Sequence, residues 1–400
     1  MTLWGKERDI DRTMLEFTVG DDYLLDQRLV KYDCLGSIAH AEMLCSIGAL
    51  TQDESDQLVA GLQTIIELAD KGEFPIQPSQ EDCHTAIEDW LTRECGEVGK
   101  KIHLGRSRND QVLTALRLYE KDALDKVAER LSGFREALAR TIDKHGHVPL
   151  PGYTHMRRAM PTTIGTWLGA FHDAAKDDVR LVESARDLID QSPLGTGAGF
   201  GITVFQPDRE LTARKLGFAR VQENPIYAQM SRGKFEATLL HVLGQIAFDL
   251  NRLASDLILF STREYGFLGL PEEFCTGSSI MPQKQNPDVL ELVRAYYHVV
   301  VGEELKLRGL IGNLTSGYHR DLQLMKAPVF KAFDVTGKCL AVMTAVIPRV
   351  IIDEEACAAA MSDELYATEE AYRLVQQGVP FRDAYRQVAR KHRPDPERER

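Results

Sequence analysis

Seven apolar residues, Phe235, Leu239, Leu243, Ile246, Leu250, Leu253 and Leu257, follow one another three or four apart, the spacing of one face of an α-helix. Leu240, Val242, Ala247 and Ile258 place further apolar groups on the other faces of the same helix. A helix that is apolar on nearly all sides is stable in water only when it is covered all round. The chain must therefore supply several neighbouring helices, and part of this surface is expected to meet other copies of the chain.

The same helical period recurs over most of the sequence. Leu124, Val127, Leu131, Phe134, Leu138 and Ile142 form one face of a long helix, and Ile164, Trp167, Leu168, Phe171, Ala175 and Leu188 mark another. Further helices are predicted from Pro287 and from near Asp321, while strand-like alternation is almost absent. The reading is an all-α subunit of three lobes built on a central bundle of long helices. Residues 1–105 form a small helical lobe, in which Thr51 and Glu54 make a capping box and Gly72 a stop. Residues 106–347 form the long-helix bundle, and residues 348–400 a short helical lobe ending in a solvated, frayed tail from Lys391 to Arg400.

Composition limits what such a bundle can do. The 400 residues are 44% hydrophobic and 27% charged, with a formal net charge of -12, which argues against a nucleic-acid or membrane-binding surface. An anionic ligand has to be held by local cations. The seven cysteines are scattered and never spaced as a CxxC pair, so neither a disulfide framework nor a zinc site is expected. The start, Met1 to Asp9, lacks the basic-then-apolar order of a signal peptide, and the apolar run from Leu340 to Ile352 is interrupted by Pro348 and Arg349. A cytoplasmic protein is expected.

Local chemistry concentrates in five places. Gly277-Ser-Ser-Ile-Met-Pro-Gln-Lys-Gln-Asn-Pro287 joins a mobile serine loop to Lys284 and to a predicted helix start with Asn286 as N-cap and Pro287 at the first helical position. A helix N-terminus carries about half a unit of positive charge, so with Lys284 this segment suits a carboxylate. Gly152-Tyr-Thr-His155 sets an imidazole, the side chain most easily poised near neutral pH, beside Thr154 and ahead of a long helix. Glu291, one turn into the next helix, would orient His155 if the two segments met.

Gly105-Arg-Ser-Arg-Asn-Asp-Gln111 offers Arg106, Arg108 and Asn109 for bidentate grip on carboxylates. Tyr318, Gln323 and Lys326 lie at a helix junction, with Gln323 and Lys326 on one face, and suit the polar end of a substrate. His84 and Glu88, four apart, read as a hydrogen-bonded pair rather than half a metal site. Gly195-Thr-Gly-Ala-Gly-Phe-Gly201 does not fit GxGxxG and lacks a preceding strand, so it reads as a flexible turn where backbone passes close to a ligand. No cofactor is implied.

With these segments in order, the sequence resembles the argininosuccinate lyase branch of the fumarase/aspartase superfamily from about Glu16 to about Tyr385. GSSIMPQKQNP is similar to the superfamily signature, and GRSRNDQV, GYTHMRRAMP, SPLGTGAGFG and YHRDLQ to this branch. The resemblance implies a homotetramer with a twenty-helix core and active sites shared between three subunits. It implies cleavage of argininosuccinate to arginine and fumarate by anti elimination through an aci-carboxylate intermediate, without metal or cofactor. In that reaction Ser278 is the base, His155 polarised by Glu291 serves the acid side, and Lys284 with Asn286 stabilises the developing charge. Thr154, Arg108 and Asn109 would hold the succinate carboxylates; Tyr318, Gln323 and Lys326 would take the amino-acid end, and His84 is a further substrate-binding candidate.

The chain departs from the pattern at Asp22, Arg157, Met160, Ser231-Arg-Gly-Lys234, Gln285 and His319. The alternatives are a lyase for another N-substituted aspartate, such as adenylosuccinate or a secondary metabolite, and a catalytically silent structural homo-oligomer.

Overall fold

The structure, a computed structural model, describes residues 11–392. The expectations for Met1 to Asp9 and for the tail beyond His392 fall outside them. The described residues are all-α: five long helices, Arg108–His145, Ile164–Ile189, Lys234–Phe260, Asp288–Ile311 and Lys326–Val346, dominate, and strands occur only as two-stranded pieces. No helix among the described residues is long and apolar enough to cross a membrane. The chain divides into two compact units, Met1–Ala128, Arg180–Gly244 and Val299–Val335 in one, Glu129–Val179, Gln245–His298 and Thr336–Arg400 in the other. Every long helix contributes residues to both.

The helix Lys234–Phe260 does what its sequence demands. Phe235, Leu239, Leu243, Ile246, Leu250, Leu253 and Leu257 are buried, and so are Leu240, Val242 and Ala247 on other faces. Burying each such leucine or isoleucine contributes roughly 1.5–3 kcal/mol, so the sum far exceeds the helix's own propensity. Thr51 caps Gln52–Asp70 through a reciprocal box with Glu54, and Gly72, at a φ of 73°, follows its end. The helix predicted from near Asp321 begins later, because Arg320–Met325 forms a 3-10 turn that hands over to Lys326.

Two local expectations change. Residues ahead of Ile164 form an antiparallel hairpin, Pro149–Thr154 with Arg157–Thr163. Prolines at 149, 151 and 161 and a bulge between Pro151 and Tyr153 hide the alternation that would have announced it. The glycine segment is not a flexible turn: most of it is buried, and the Gly195 and Gly197 amides donate to Asp110 at 3.1 and 2.9 Å. Its anion is the protein's own carboxylate. Burial raises the Asp110 carboxyl to about 6, against these amide hydrogen bonds.

Candidate active site

One group of candidates lines a cavity of about 590 Å³ in the first unit, whose wall includes His84, Arg108, Asn109, Tyr318, Gln323 and Lys326. The Arg108 guanidinium donates to Asp82 at 2.9 Å and Thr85 at 2.6 Å, and so points in a fixed direction. Gln323 Nε2 donates to the carbonyls of Thr18 and Val19 at 3.0 and 3.2 Å. Lys326 is 3% exposed, and its ammonium lies 2.9 Å from Asp22 and 2.5 Å from Asp26.

Burial opposes charge on Lys326, yet the two aspartates hold it above the usual lysine range. Two carboxylates share this one ammonium. Asp22 is the weaker partner, pushed up to about 6 by burial against the pull of Lys326.

His84 does not pair with Glu88. Its Nδ1 lies 3.2 Å from Asp33, because tertiary packing sets a buried carboxylate against the imidazole. Burial disfavours the imidazolium, but Asp33 more than compensates and raises its pKa. Asp26, Cys83 and His84 also bring one potential ligand atom each within 4.8 Å of one another. Scattered cysteine spacing gave no sign of that grouping. Asp26 is engaged by Lys326, and His84 by Asp33, so the cluster's charges are already matched by side chains.

The cavity also includes groups that sequence reasoning did not assign, among them Asp22, Asp82, His103, Arg232 and Arg320. Burial, with Arg106 and Arg108 close by, lowers His103 to about 4. Arg320 lies inside the quoted YHRDLQ segment, whereas nothing local marks Asp82 or Arg232 as neighbours of it.

The second group lies in the other unit. Thr276 and Asn286 form an isolated antiparallel bridge, with amide-to-carbonyl bonds of 3.0 and 2.8 Å, and the loop between them carries Ser278 and Lys284. Ser278 Oγ accepts from the Met281 amide at 3.1 Å, which seats the hydroxyl at a turn. Lys284 is exposed.

Asn286 is not the N-cap: the bridge fixes its backbone as extended, and its amide side chain donates to the Gly277 carbonyl at 3.4 Å. Pro287 is not inside the helix but before it, where its carbonyl accepts from Glu291, and the helix starts at Asp288. Asp288 and Glu291 in the first turn place carboxylates at the positive pole.

His155 and Met156 are the two residues of the hairpin tip, at φ 52° and 59°. Both values lie in the left-handed region that tight two-residue hairpins need, usually met by Asn-Gly. The turn thrusts the exposed His155 and Thr154 off the end of two strands. Glu291 lines a different pocket with Asn251, Asp288, Leu292, Arg294, Ala295 and His298. Among the described residues no hydrogen bond or ion pair joins His155 to Glu291, so one chain does not make the pairing proposed for them.

The described residues are a set of long helices with a cation-rich cavity in the first unit and a serine-lysine loop and an imidazole turn in the second. The sequence profile of a lyase family matches residues 7–302. A class II fumarase from Schistosoma mansoni shares the fold, at a TM-score of 0.80 and 17% identity over 96% of this chain and 92% of that one. An EDDS lyase in complex with formate superposes at a TM-score of 0.81 and 26% identity, over 96% and 76% of the two chains.

Curated relatives are nearer. The argininosuccinate lyase of Thermotoga neapolitana is 53% identical over 390 residues, 98% of both chains, and that of Sorangium cellulosum 44% identical over 97% of this chain and 90% of its own. The chain belongs to the lyase family and, within it, to the argininosuccinate lyases.

Proposed function

We propose that the protein cleaves argininosuccinate to arginine and fumarate. The observation that carries this reading is 53% identity to an argininosuccinate lyase along 98% of both chains. The cavity lined by Arg108, Asn109, Tyr318, Gln323 and Lys326 supports it, since it offers donors for carboxylates together with carboxylates of its own for an amino group.

In the proposed mechanism Ser278, as alkoxide, removes the proton from the carbon next to a succinate carboxylate. The electron pair passes into that carboxylate as an aci form, which Lys284 and the adjoining loop stabilise. It then returns to form the carbon-carbon double bond, and the guanidine nitrogen leaves with the pair of the broken carbon-nitrogen bond. His155, polarised by Glu291, supplies the proton that neutralises the leaving group. Thr154, Asn286, Arg108 and Asn109 hold the succinate half; Tyr318, Gln323, Lys326 and His84 hold the amino-acid half.

A cytoplasmic homotetramer, with each site completed by three subunits, fits this assignment. Ser278, His155, Lys284 and Glu291 stand at or near the surface of the isolated chain, where neighbouring copies would cover them. The three-lobed division at residues 105 and 347 belongs to the same proposal.

A lyase for a different N-substituted aspartate shares the fumarate-forming half, and the likeness to an EDDS lyase variant with bound fumarate, at 27% identity, favours keeping it as the second reading. Following fumarate absorbance while argininosuccinate, adenylosuccinate and aspartate are offered in turn separates the readings. Fumarate from argininosuccinate alone supports the first, and from another substrate the second. Fumarate from none of them leaves the silent oligomer.

A further inference from the structure

Arg232 occupies an unusual place in the cavity wall. It is 4% exposed, yet its Nε and Nη1 are buried without a hydrogen-bond partner. The guanidinium lies over the Tyr318 ring, 5.3 Å from its centroid. Behind it stand Arg117, Glu120 and Glu236, all fully buried, with Arg117 itself stacked 4.6 Å from the Phe235 centroid. Glu236 is fixed by the Gly233 amide at 2.5 Å, and a side chain at residue 233 is barred because a Cβ would come within 2.2 Å of Ile311.

The charges do not cancel cleanly. Burial, then Glu236, pushes the Glu120 carboxyl well above the usual range, and both its oxygens lack hydrogen-bond partners. Burial likewise raises Glu236 against the pull of Arg117 and Arg232. Arg117 and Arg232 share these two buried carboxylates, and neither Nε nor Nη1 of Arg232 finds a hydrogen-bond acceptor among them. Buried guanidinium N–H groups without acceptors are costly, and an anion reaching Arg232 would satisfy them.

We infer that Arg232, with Tyr318 as its floor, is a carboxylate-binding subsite of the cavity that determines affinity for the substrate. It touches the ligand but performs no proton transfer. Arginine suits this position because its planar fork takes a carboxylate in bidentate fashion while its face rests on an aromatic ring.

The inference rests on the reading that the chain cleaves argininosuccinate, and the experiment separates the two. Argininosuccinate turnover by the unaltered protein tests the reading. With that activity in hand, Arg232→Gln and Arg232→Lys are assayed for KM and kcat, and inhibition is measured with L-arginine, its decarboxylated analogue agmatine, and fumarate. The expected result is a rise in KM of at least tenfold for Arg232→Gln, a kcat within about threefold of the unaltered protein, and partial recovery in Arg232→Lys.

Weaker inhibition by L-arginine, with agmatine unaffected, assigns the subsite to the amino-acid carboxylate; weaker inhibition by fumarate alone assigns it to the succinate half. If Arg232→Gln does not fold cooperatively, Arg232→Met combined with Glu236→Gln removes an opposite pair of charges and carries the same measurements. A folded variant whose KM and inhibition constants all stay within twofold overturns the subsite and leaves Arg232 a structural counter-ion.

Discussion

The cavity of the first unit and the loop and hairpin of the second handle charge in opposite ways. In the cavity three of the cations have their anions already: Lys326 has Asp22 and Asp26, Arg108 has Asp82, His84 has Asp33. On the loop and hairpin, Lys284 and His155 are exposed and Ser278 sits at an open turn. Pre-paired charges hold a recognition surface in shape without substrate, at the cost of desolvating both partners. Groups meant to move protons must keep their lone pairs and protons available, so such groups stay unpaired until something covers them. One chain can thus build the proposed recognition cavity alone, while its proposed acid, base and lysine await a cover.

The sharpest way to break that comparison is at Ser278. Ser278→Ala should lower turnover about 10²- to 10⁴-fold while leaving the elution volume and the cavity unchanged. Steady-state fumarate release, with size-exclusion chromatography as control, decides it, and near-normal turnover removes Ser278 from the mechanism.

Lys326→Met strikes the paired side instead. It leaves Asp22 and Asp26 without their ammonium, and loss of one member of a buried ion pair typically costs about 3–5 kcal/mol. Urea unfolding at neutral pH should show that loss, and an unchanged midpoint means the cluster relaxes without cost.

Lys284→Ala tests the unpaired side again, with the opposite signature. Activity should fall about 10²- to 10³-fold, as for removal of one stabilising donor. Stability should hardly change, since Lys284 is exposed, and a drop in melting temperature to match the activity would contradict its role.

Asp178 sharpens the point about pairing, because it is buried with Asp249 and Asp177 as its electrostatic neighbours. Burial, and then those aspartates, raise its carboxyl to about 7. The folded chain therefore keeps a proton that the unfolded chain releases; this contribution is complete below the ordinary carboxylate range and is lost as pH rises through about 7. Asp178→Asn should flatten the fall in melting temperature between pH 5 and pH 8, and parallel curves for both proteins would exclude it.

The smallest effect is at the hairpin tip. Met156→Gly relieves a left-handed backbone at φ 59° and should gain about 1 kcal/mol by thermal melting. A loss of stability would show that the Met156 side chain contributes more than its backbone strain costs.

Legibility in the sequence followed the range of the forces involved. The helix Lys234–Phe260 and the Thr51–Glu54 capping box depend on contacts within a turn or two, and the spacing of residues announced both. The hairpin did not announce itself, since its prolines and bulge erase the two-residue period. At Asn286 a sound local rule lost to a backbone bridge with Thr276, ten positions away. The role of the glycine segment was misread because its anion, Asp110, lies 85 positions from Gly195.

Arg108, Asn109, His84, Tyr318, Gln323 and Lys326 were legible as polar groups in suggestive settings, and the fold gathers them into one cavity. Arg232 was not, because it lies far along the chain from Tyr318, and Asp82 was not, because its bond to Arg108 spans 26 positions even though it stands close to Thr85 and His84.

Helical periodicity and the Thr51–Glu54 capping box were settled by the order of residues, because side chains three or four apart on a helix meet whatever the rest of the chain does. Which carboxylate each buried cation meets was settled only by tertiary structure. Lys326 finds Asp22 across 304 positions, and in a low-dielectric interior the energy of that meeting depends on distance through space and not along the chain.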